Sequence, residues 1–218
     1  MRARGLFRPC RIVYIRRFVR TERVFLRVAA SSLLAVAAVG LGWGCAAPTV
    51  GIARGRELFQ NCQPCHGDRG TGNVALRAPE IAGLPQWYVA AELDKFQKNV
   101  RGAHPDDNEG HRMRPMARTL YHPGDIESVA GYVASLPSVS VTPMMRGNDA
   151  KGNQAMNAPP LSAQADWYLV AQLEKFKTGM RGVNAQDMTG SQMRAMSSTL
   201  SDTTAMHDVV AFIKTLSH

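Results

Sequence analysis

Apolar residues recur at helical spacing along the chain, and the same spacing occurs in two separate halves. Each half contains one set at positions i, i+4, i+7 and i+11: Val89, Leu93, Phe96 and Val100 in the first, and Leu169, Leu173, Phe176 and Met180 in the second. This periodicity predicts a helix of about four turns in each half, with its apolar face buried.

A second helix is predicted at the end of each half. Its apolar positions are Ile126, Val129, Val133 and Leu136 in the first half, and Met206, Val209, Ile213 and Leu216 in the second. Pro123 suits the first position of this helix in the first half. The carboxylates of Asp125 and Glu127 would stabilise its N-terminus, which is the positive end of the helix dipole. A further helix is predicted over Arg54–Asn61, just before a pair of cysteines.

Two segments, Gly67–Pro79 and Gly102–Leu120, are rich in glycine, proline and polar residues, and we expect irregular loops there. The pattern as a whole therefore predicts an all-α fold with long connecting loops. Long ordered loops in a domain of about 80 residues need something to pack against, because so small a domain buries a limited core.

The two halves are copies of one another. A shift of 80 residues places Gly72–Leu136 on Gly152–Leu216 without a gap, and 22 of the 65 paired residues are identical. The identical pairs include Trp87/Trp167, Tyr88/Tyr168, Phe96/Phe176, Arg101/Arg181, Met113/Met193 and Met116/Met196. A duplicated domain accounts for this match, so we expect two similar domains in tandem.

The positive charge of the chain is confined to its beginning. The chain carries a formal charge of +9, but nine arginines and one acid, Glu22, lie within residues 1–27. The remaining residues are close to neutral, which argues against a basic body that binds nucleic acid. A hydrophobic content of 45% with 20% charged residues is typical of a folded chain.

Residues 1–45 have the pattern of a signal peptide or an N-terminal anchor. The arginines precede an uncharged apolar stretch, residues 28–44. Three fates are open: lipidation at Cys45, cleavage near Ala46 or Ala47, and retention as a membrane anchor. All three predict a periplasmic or other extracytoplasmic location for the rest of the chain, with residues 46–53 as a linker.

Two cysteines remain in the exported body, Cys62 and Cys65, and His66 follows directly. A disulfide or a Cys-x-x-Cys redox pair is conceivable, but Cys-x-x-Cys-His is the attachment signature for c-type haem. Two thiols three residues apart on one helical turn can each bond a vinyl group of one porphyrin, and the next side chain directs its imidazole at the iron. Haem attachment is the favoured interpretation.

With the residues around it, this motif resembles a class I cytochrome c. The matching residues are Phe59, Cys62-Gln63-Pro64-Cys65-His66-Gly67, Ala78-Pro79, Met113-Arg114-Pro115-Met116 and Ala130-Gly131-Tyr132-Val133. The tandem organisation is similar to that of the normally dihaem cytochromes of the c-four type. The expected fold is therefore all-α, with two tandem cytochrome c-like domains.

The resemblance implies a role for each candidate site residue. Cys62 and Cys65 would bind one haem c covalently, and His66 would be the proximal iron ligand. Met113 would be the distal ligand, and Pro79 would offer its carbonyl to the other ring nitrogen of His66. Together with the iron, His66 and Met113 would form the metal site.

Several alternatives to these roles remain open. Met116 lies one helical turn after Met113 and is the second candidate for the distal ligand. His104 and His111 lie in the same segment and compete as iron ligands, although solvent-exposed loop histidines are more common. Contact with a haem propionate and simple packing are equally good explanations for three other residues: Trp87, Tyr88 and Arg101.

The second half lacks the haem motif. At the 80-residue offset, Cys62, Cys65 and His66 fall on three residues without that chemistry, and no cysteine follows Cys65. Those residues are Thr142, Met145 and Arg146. We therefore expect one haem per chain. The predicted organisation is a monohaem cytochrome c domain at 54–137, a linker at 138–146, and a degenerate, haem-free domain at 147–218.

The expected function is that of an exported electron carrier rather than an enzyme. Ligation by histidine and methionine fills both axial positions and leaves no site for a substrate. The expected partners are a quinol-oxidising complex, a terminal oxidase or an exported dehydrogenase; membrane association would come through the N-terminal segment. The alternative is a haem enzyme, such as a peroxidase, or a haem subunit with the second half as a docking module.

Overall fold

The structure, a computed structural model, describes residues 50–137, 150, 152–162 and 164–216. Several predictions concern residues outside these ranges. They are the signal or anchor at 1–45 with Cys45, the linkers at 46–53 (apart from residues 50–53) and 138–146, and the offset positions Thr142, Met145 and Arg146.

The predicted all-α fold class is confirmed. The first repeat contains α1 Ile52–Phe59, α2 Gln63–His66, α3 Gln86–Gln97, α4 Asn108–Arg118 and α5 Asp125–Ser135. The second contains a short 3-10 turn, Gln154–Met156, followed by α6 Asp166–Lys177, α7 Met188–Ser197 and α8 Thr203–Thr215. Extended pairing in the described ranges is limited to two isolated bridges, Asn73 with Ala78 and Asn153 with Ala158.

The prediction of an irregular loop over Gly102–Leu120 is wrong, because α4 occupies most of it. The Asp107 carboxylate caps this helix by accepting a hydrogen bond from the Gly110 amide over 3.0 Å. The helix is polar around most of its circumference and contains Pro115, so it lacks the long apolar stripe that reveals a helix in sequence. Its counterpart α7 is capped in the same way by Asp187.

The last helix of the first repeat begins two residues later than predicted. Pro123 lies outside it, and Gly124 occupies the N-cap position with a φ of 85°. Asp125 and Glu127 lie in the first turn, where their carboxylates favour the positive end of the helix.

Helices α1 and α5 cross at very short range and form the core of the first repeat. A Cβ atom on Gly55 would lie 2.0 Å from the carbonyl oxygen of Ser128, so only glycine fits at the crossing. Phe59 is fully buried and its ring lies 5.2 Å from that of Tyr132. Leu58, Phe59, Leu120, Val129 and Val133 are the buried apolar residues of this core.

In the second repeat, Leu169, Val170 and Val210 form a smaller buried cluster between α6 and α8. Phe212, the counterpart of Tyr132, is 62% exposed. The described part of the second repeat contains no helix corresponding to α1, which accounts for this exposure.

The described residues of the two repeats form one compact unit. Over the described residues, every helix is too short or too polar to cross a bilayer.

Candidate haem site

The Cys-x-x-Cys-His motif lies on a single helical turn that directly follows α1. Cys62 occupies the N-cap of α2, and its carbonyl oxygen accepts hydrogen bonds from the amides of Cys65 over 3.2 Å and His66 over 2.9 Å. Gly67 ends the turn with a φ of 81°, a left-handed conformation that glycine adopts without strain. Both thiols are free, with that of Cys65 exposed and that of Cys62 partly buried.

His66 is buried, and its ring is oriented by the chain itself. Its Nδ1 lies 2.8 Å from the carbonyl oxygen of Pro79. A proton on Nδ1 donates to this carbonyl and leaves Nε2 with a free lone pair, which is the form that binds a metal. Burial lowers the pKa of His66, and the Pro79 carbonyl opposes that shift only in part, so the imidazole is neutral at pH 7.

The loop before α3 places the Pro79 carbonyl by close backbone packing. Gly72 lies so near this segment that a Cβ on it would be 2.6 Å from the Glu80 nitrogen. The amides of Asn73 and Ala78 each donate to the other residue's carbonyl, over 2.8 and 2.9 Å. This bridge fixes the backbone next to Pro79.

An apolar cleft lies beside the motif. Its lining comes from α1, the start of α2, α3, and the segment from α4 to Leu120: Leu58, Asn61, Cys62, Leu93, Met113, Met116, Ala117, Thr119 and Leu120. Both candidate methionines line it. Met113 is partly buried and Met116 is 37% exposed. The structure thus brings both thioethers to the cleft that Cys62 borders.

The residues present fit a covalent haem. Two free thiols on one turn, an imidazole with its Nδ1 engaged, and thioether sulfurs across an apolar cleft are the donor set of a c-type site. Burial, with a smaller effect from Cys65, raises the pKa of the Cys62 thiol to about 11. This thiol is therefore protonated at neutral pH.

The two competing histidines lie away from the described lining of the cleft. The Nε2 atom of His111 lies 2.8 Å from the carbonyl oxygen of His104, and both side chains are at the surface.

Arg101 belongs to a buried polar network between the repeats, and Tyr88 lies close enough to interact electrostatically with its charged groups. The carboxylate of Glu92 accepts hydrogen bonds from Arg101 and, over 2.9 Å, from Arg181 of the second repeat. Arg101 also donates to the Tyr168 hydroxyl over 3.1 Å and to the side-chain oxygen of Gln172 over 3.2 Å. Burial alone would raise the pKa of Glu92, but the two arginines and a nearby lysine hold it at about 2.

A reciprocal pair of lysines joins the repeats on either side of this network. Lys95 forms an ion pair with the Asp187 carboxylate, with 2.9 Å between nitrogen and oxygen, and its counterpart Lys175 donates to the Asp107 carboxylate. Sequence reasoning did not identify this interface. The signal was present, because Lys95, Arg101 and Asp107 all recur unchanged at the 80-residue offset although none is apolar.

The first repeat matches a known protein family, and a longer part of the chain is similar to known proteins. The profile of the Cytochrome c family matches residues 52–137. The thiosulfate dehydrogenase electron acceptor of Thiomonas intermedia is 32% identical over 177 residues, which cover 68% of this chain and 76% of that protein. The chain belongs to the cytochrome c family. A covalently attached haem c, with its iron, and a role in electron transport follow from this membership.

Other similarities extend over most of the chain. The thiosulfate dehydrogenase electron acceptor of Stutzerimonas stutzeri is 27% identical over 163 residues, or 62% of this chain and 72% of that protein. A thiosulfate dehydrogenase structure from Marichromatium purpuratum matches with a TM-score of 0.56 and 26% identity, covering 75% of this chain and 40% of that one.

The fold is also that of a tandem cytochrome. Reduced cytochrome c4 from Pseudomonas stutzeri matches with a TM-score of 0.59 and 20% identity, over 76% of this chain and 98% of that one. The cytochrome fold therefore extends across both repeats.

Proposed function

We propose that this chain is an exported monohaem cytochrome c that carries single electrons and accepts them from a thiosulfate-oxidising dehydrogenase. The observation that carries the proposal is the arrangement of the motif, in which His66 is held by the Pro79 carbonyl beside a cleft lined by Cys62 and Met113. In this proposal residues 1–45 direct export or anchor the chain, 54–137 form the haem domain, and 147–218 form the haem-free domain.

Each site residue has one task. The sulfurs of Cys62 and Cys65 would hold the porphyrin covalently, and Nε2 of His66 would be an iron ligand. The Pro79 carbonyl accepts the Nδ1 proton and so fixes the tautomer and ring plane. The Met113 sulfur would be the second iron ligand, and the apolar lining would exclude water. When bound, the haem supplies a one-electron iron couple.

A single haem per chain is supported by the cysteine count. No cysteine follows Cys65, so the second repeat has no thiol for covalent attachment. A thiosulfate dehydrogenase as electron donor is supported by the names of the two relatives, each described as the electron acceptor of that enzyme. Quinol-oxidising complexes and terminal oxidases are the competing partners.

The first test is the stoichiometry of the purified holoprotein. A pyridine haemochrome assay calibrated against protein concentration should give one covalent haem per chain. The Cys62→Ser/Cys65→Ser variant should give none. A value of two haems would contradict a haem-free second repeat.

The second test concerns the electron donor. The oxidised holoprotein is mixed with a thiosulfate dehydrogenase and thiosulfate, and reduction is followed in the visible spectrum. We expect full reduction, dependent on both the enzyme and thiosulfate. A protein that ascorbate reduces but the enzyme with thiosulfate does not would retain the carrier function and exclude this donor.

A further inference from the structure

The first repeat receives one buried cation from the second repeat at the start of α4. Lys175, on α6, donates hydrogen bonds to the carboxylates of Asp107 and, over 2.7 Å, Glu109. The Lys175 side chain is 12% exposed and that of Asp107 is 4% exposed, so solvent screens this contact poorly. Burial alone would raise the pKa of Glu109, but the hydrogen bond from Lys175 lowers it to about 2.

The same carboxylate that receives Lys175 also begins the helix. One Asp107 oxygen accepts both the Lys175 hydrogen bond and that of the Gly110 amide, the latter over 3.0 Å. Gly110 in turn packs against Gly102, where a Cβ atom would lie 2.6 Å from the Gly110 carbonyl oxygen. The Asp107 cap and the close contact with Gly102 fix the first turn of α4, and Lys175 links that turn to the second repeat.

Helix α4 carries both methionines that line the cleft. Met113 lies six residues after Asp107 on an uninterrupted helix, so a displacement of the first turn moves its sulfur as well. We infer that Lys175 is a positioning residue, through which the second repeat holds α4 and keeps the Met113 thioether at the iron. This inference rests on the proposed function, and it assigns that function a use for the second repeat.

The chain supplies its own control. Lys95 makes the mirrored contact at the start of α7, where it forms an ion pair with Asp187 over 2.9 Å and donates to the Thr189 hydroxyl over 3.1 Å. Lys95 and Lys175 thus each make two contacts across the interface, and the further contact of Lys95 with Glu92 over 3.2 Å lies within the first repeat. However, α7 belongs to the repeat without the haem motif. Lys175→Met and Lys95→Met therefore both weaken the interface, and only Lys175→Met loosens α4.

The first measurement is amide hydrogen exchange on the full chain. We expect Lys175→Met to speed exchange in peptides from residues 108–118, whereas Lys95→Met speeds exchange in residues 188–197. The Lys175→Arg variant, which keeps the cation and its donors, should restore protection in α4. Unchanged exchange over 108–118 in Lys175→Met would overturn the inference.

The second measurement is an imidazole titration of the oxidised holoprotein, in which added imidazole displaces the thioether from the iron. Lys175→Met should raise the imidazole association constant by about tenfold. The variant loses hydrogen bonds between charged groups, which are stronger than neutral ones, and α4 then holds the Met113 thioether less firmly. Lys95→Met should stay within about twofold of the wild type, since it leaves those bonds intact. Equal shifts in the two variants would show a general loss of stability and overturn the inference.

The proposed function fails in a different way. A wild-type holoprotein without a thioether signature in its visible spectrum would contradict methionine ligation, and with it the proposed function, whatever the exchange data show. An intact signature combined with unprotected α4 in the wild type would contradict the positioning role alone.

Discussion

Glu92 in the first repeat accepts a hydrogen bond from Arg181 in the second over 2.9 Å, and both side chains are buried. The same carboxylate is paired with Arg101 of its own repeat. One carboxylate therefore pairs with a guanidinium from each copy of the duplicated domain. At the equivalent position the second repeat has Gln172, which is neutral.

Replacing Glu92 with glutamine should destabilise the protein. In this network the two buried arginines would then be left with neutral partners, and removing one partner of a buried ion pair costs about 3–5 kcal/mol. Urea unfolding at neutral pH measures this as a lower midpoint. Gln172→Glu, which adds a carboxylate beside the same arginines, is the matched control and should not destabilise. Equal stability of Glu92→Gln and the wild type would contradict the network.

Stability should also depend on pH through Glu92. Its pKa is lowered from 4.5 to about 2 in the folded protein, so the unfolded chain takes up the proton first. This contribution is present above pH 4.5 and is lost as the pH falls towards 2. Acid unfolding of Glu92→Gln should therefore have a shallower pH dependence in that window. Parallel curves for variant and wild type would refute the assignment.

The Gly55→Ala variant tests the α1–α5 crossing. An added methyl group would lie 2.0 Å from the Ser128 carbonyl oxygen, and the helices would have to separate. We expect a loss of about 3 kcal/mol and a fall in the thermal midpoint of roughly 5–10 °C. Gly131→Ala, where the nearest side-chain atom lies 3.4 Å away, is the control and should be close to neutral.

The choice between the two methionines can be made optically. If Met113 is the distal ligand, Met113→Ala abolishes the weak far-red thioether band of the oxidised holoprotein, because no sulfur then ligates the iron. Met116→Ala should keep the band. The reverse result would assign the ligand to Met116, which is more exposed but lines the same cleft.

A positive patch on α4 should influence electron exchange. Arg114 and Arg118 lie on α4, which also lines the cleft, and both donate to the neutral side-chain oxygen of Asn99. Arg118→Ser should slow oxidation of the reduced holoprotein by hexacyanoferrate(III) by about twofold at low ionic strength and have little effect at high salt.

The control for this patch lies in the second repeat. Arg194→Gln removes one exposed charge at the position equivalent to Arg114 and should leave the rate unchanged. A rate for Arg118→Ser that does not depend on ionic strength would argue against steering by the patch.

Much of the fold could be predicted because its signals are local. The stripes of Val89 and Leu93, and of Val129 and Val133, mark helices that bury one face, and these helices are present. Helix α4 was missed because its stability comes from the Asp107 cap and from contacts with another repeat, neither of which leaves an apolar period.

By itself the sequence determined the all-α class, the duplication and the Cys-x-x-Cys-His motif, because helix periodicity and thiol spacing are properties of adjacent residues. Tertiary structure alone decided that the Pro79 carbonyl lies 2.8 Å from His66, and that Lys175 and Arg181 reach carboxylates in the other repeat. These contacts join residues between 13 and 89 positions apart. Such pairings depend on how loops and helices pack, and no local pattern encodes them.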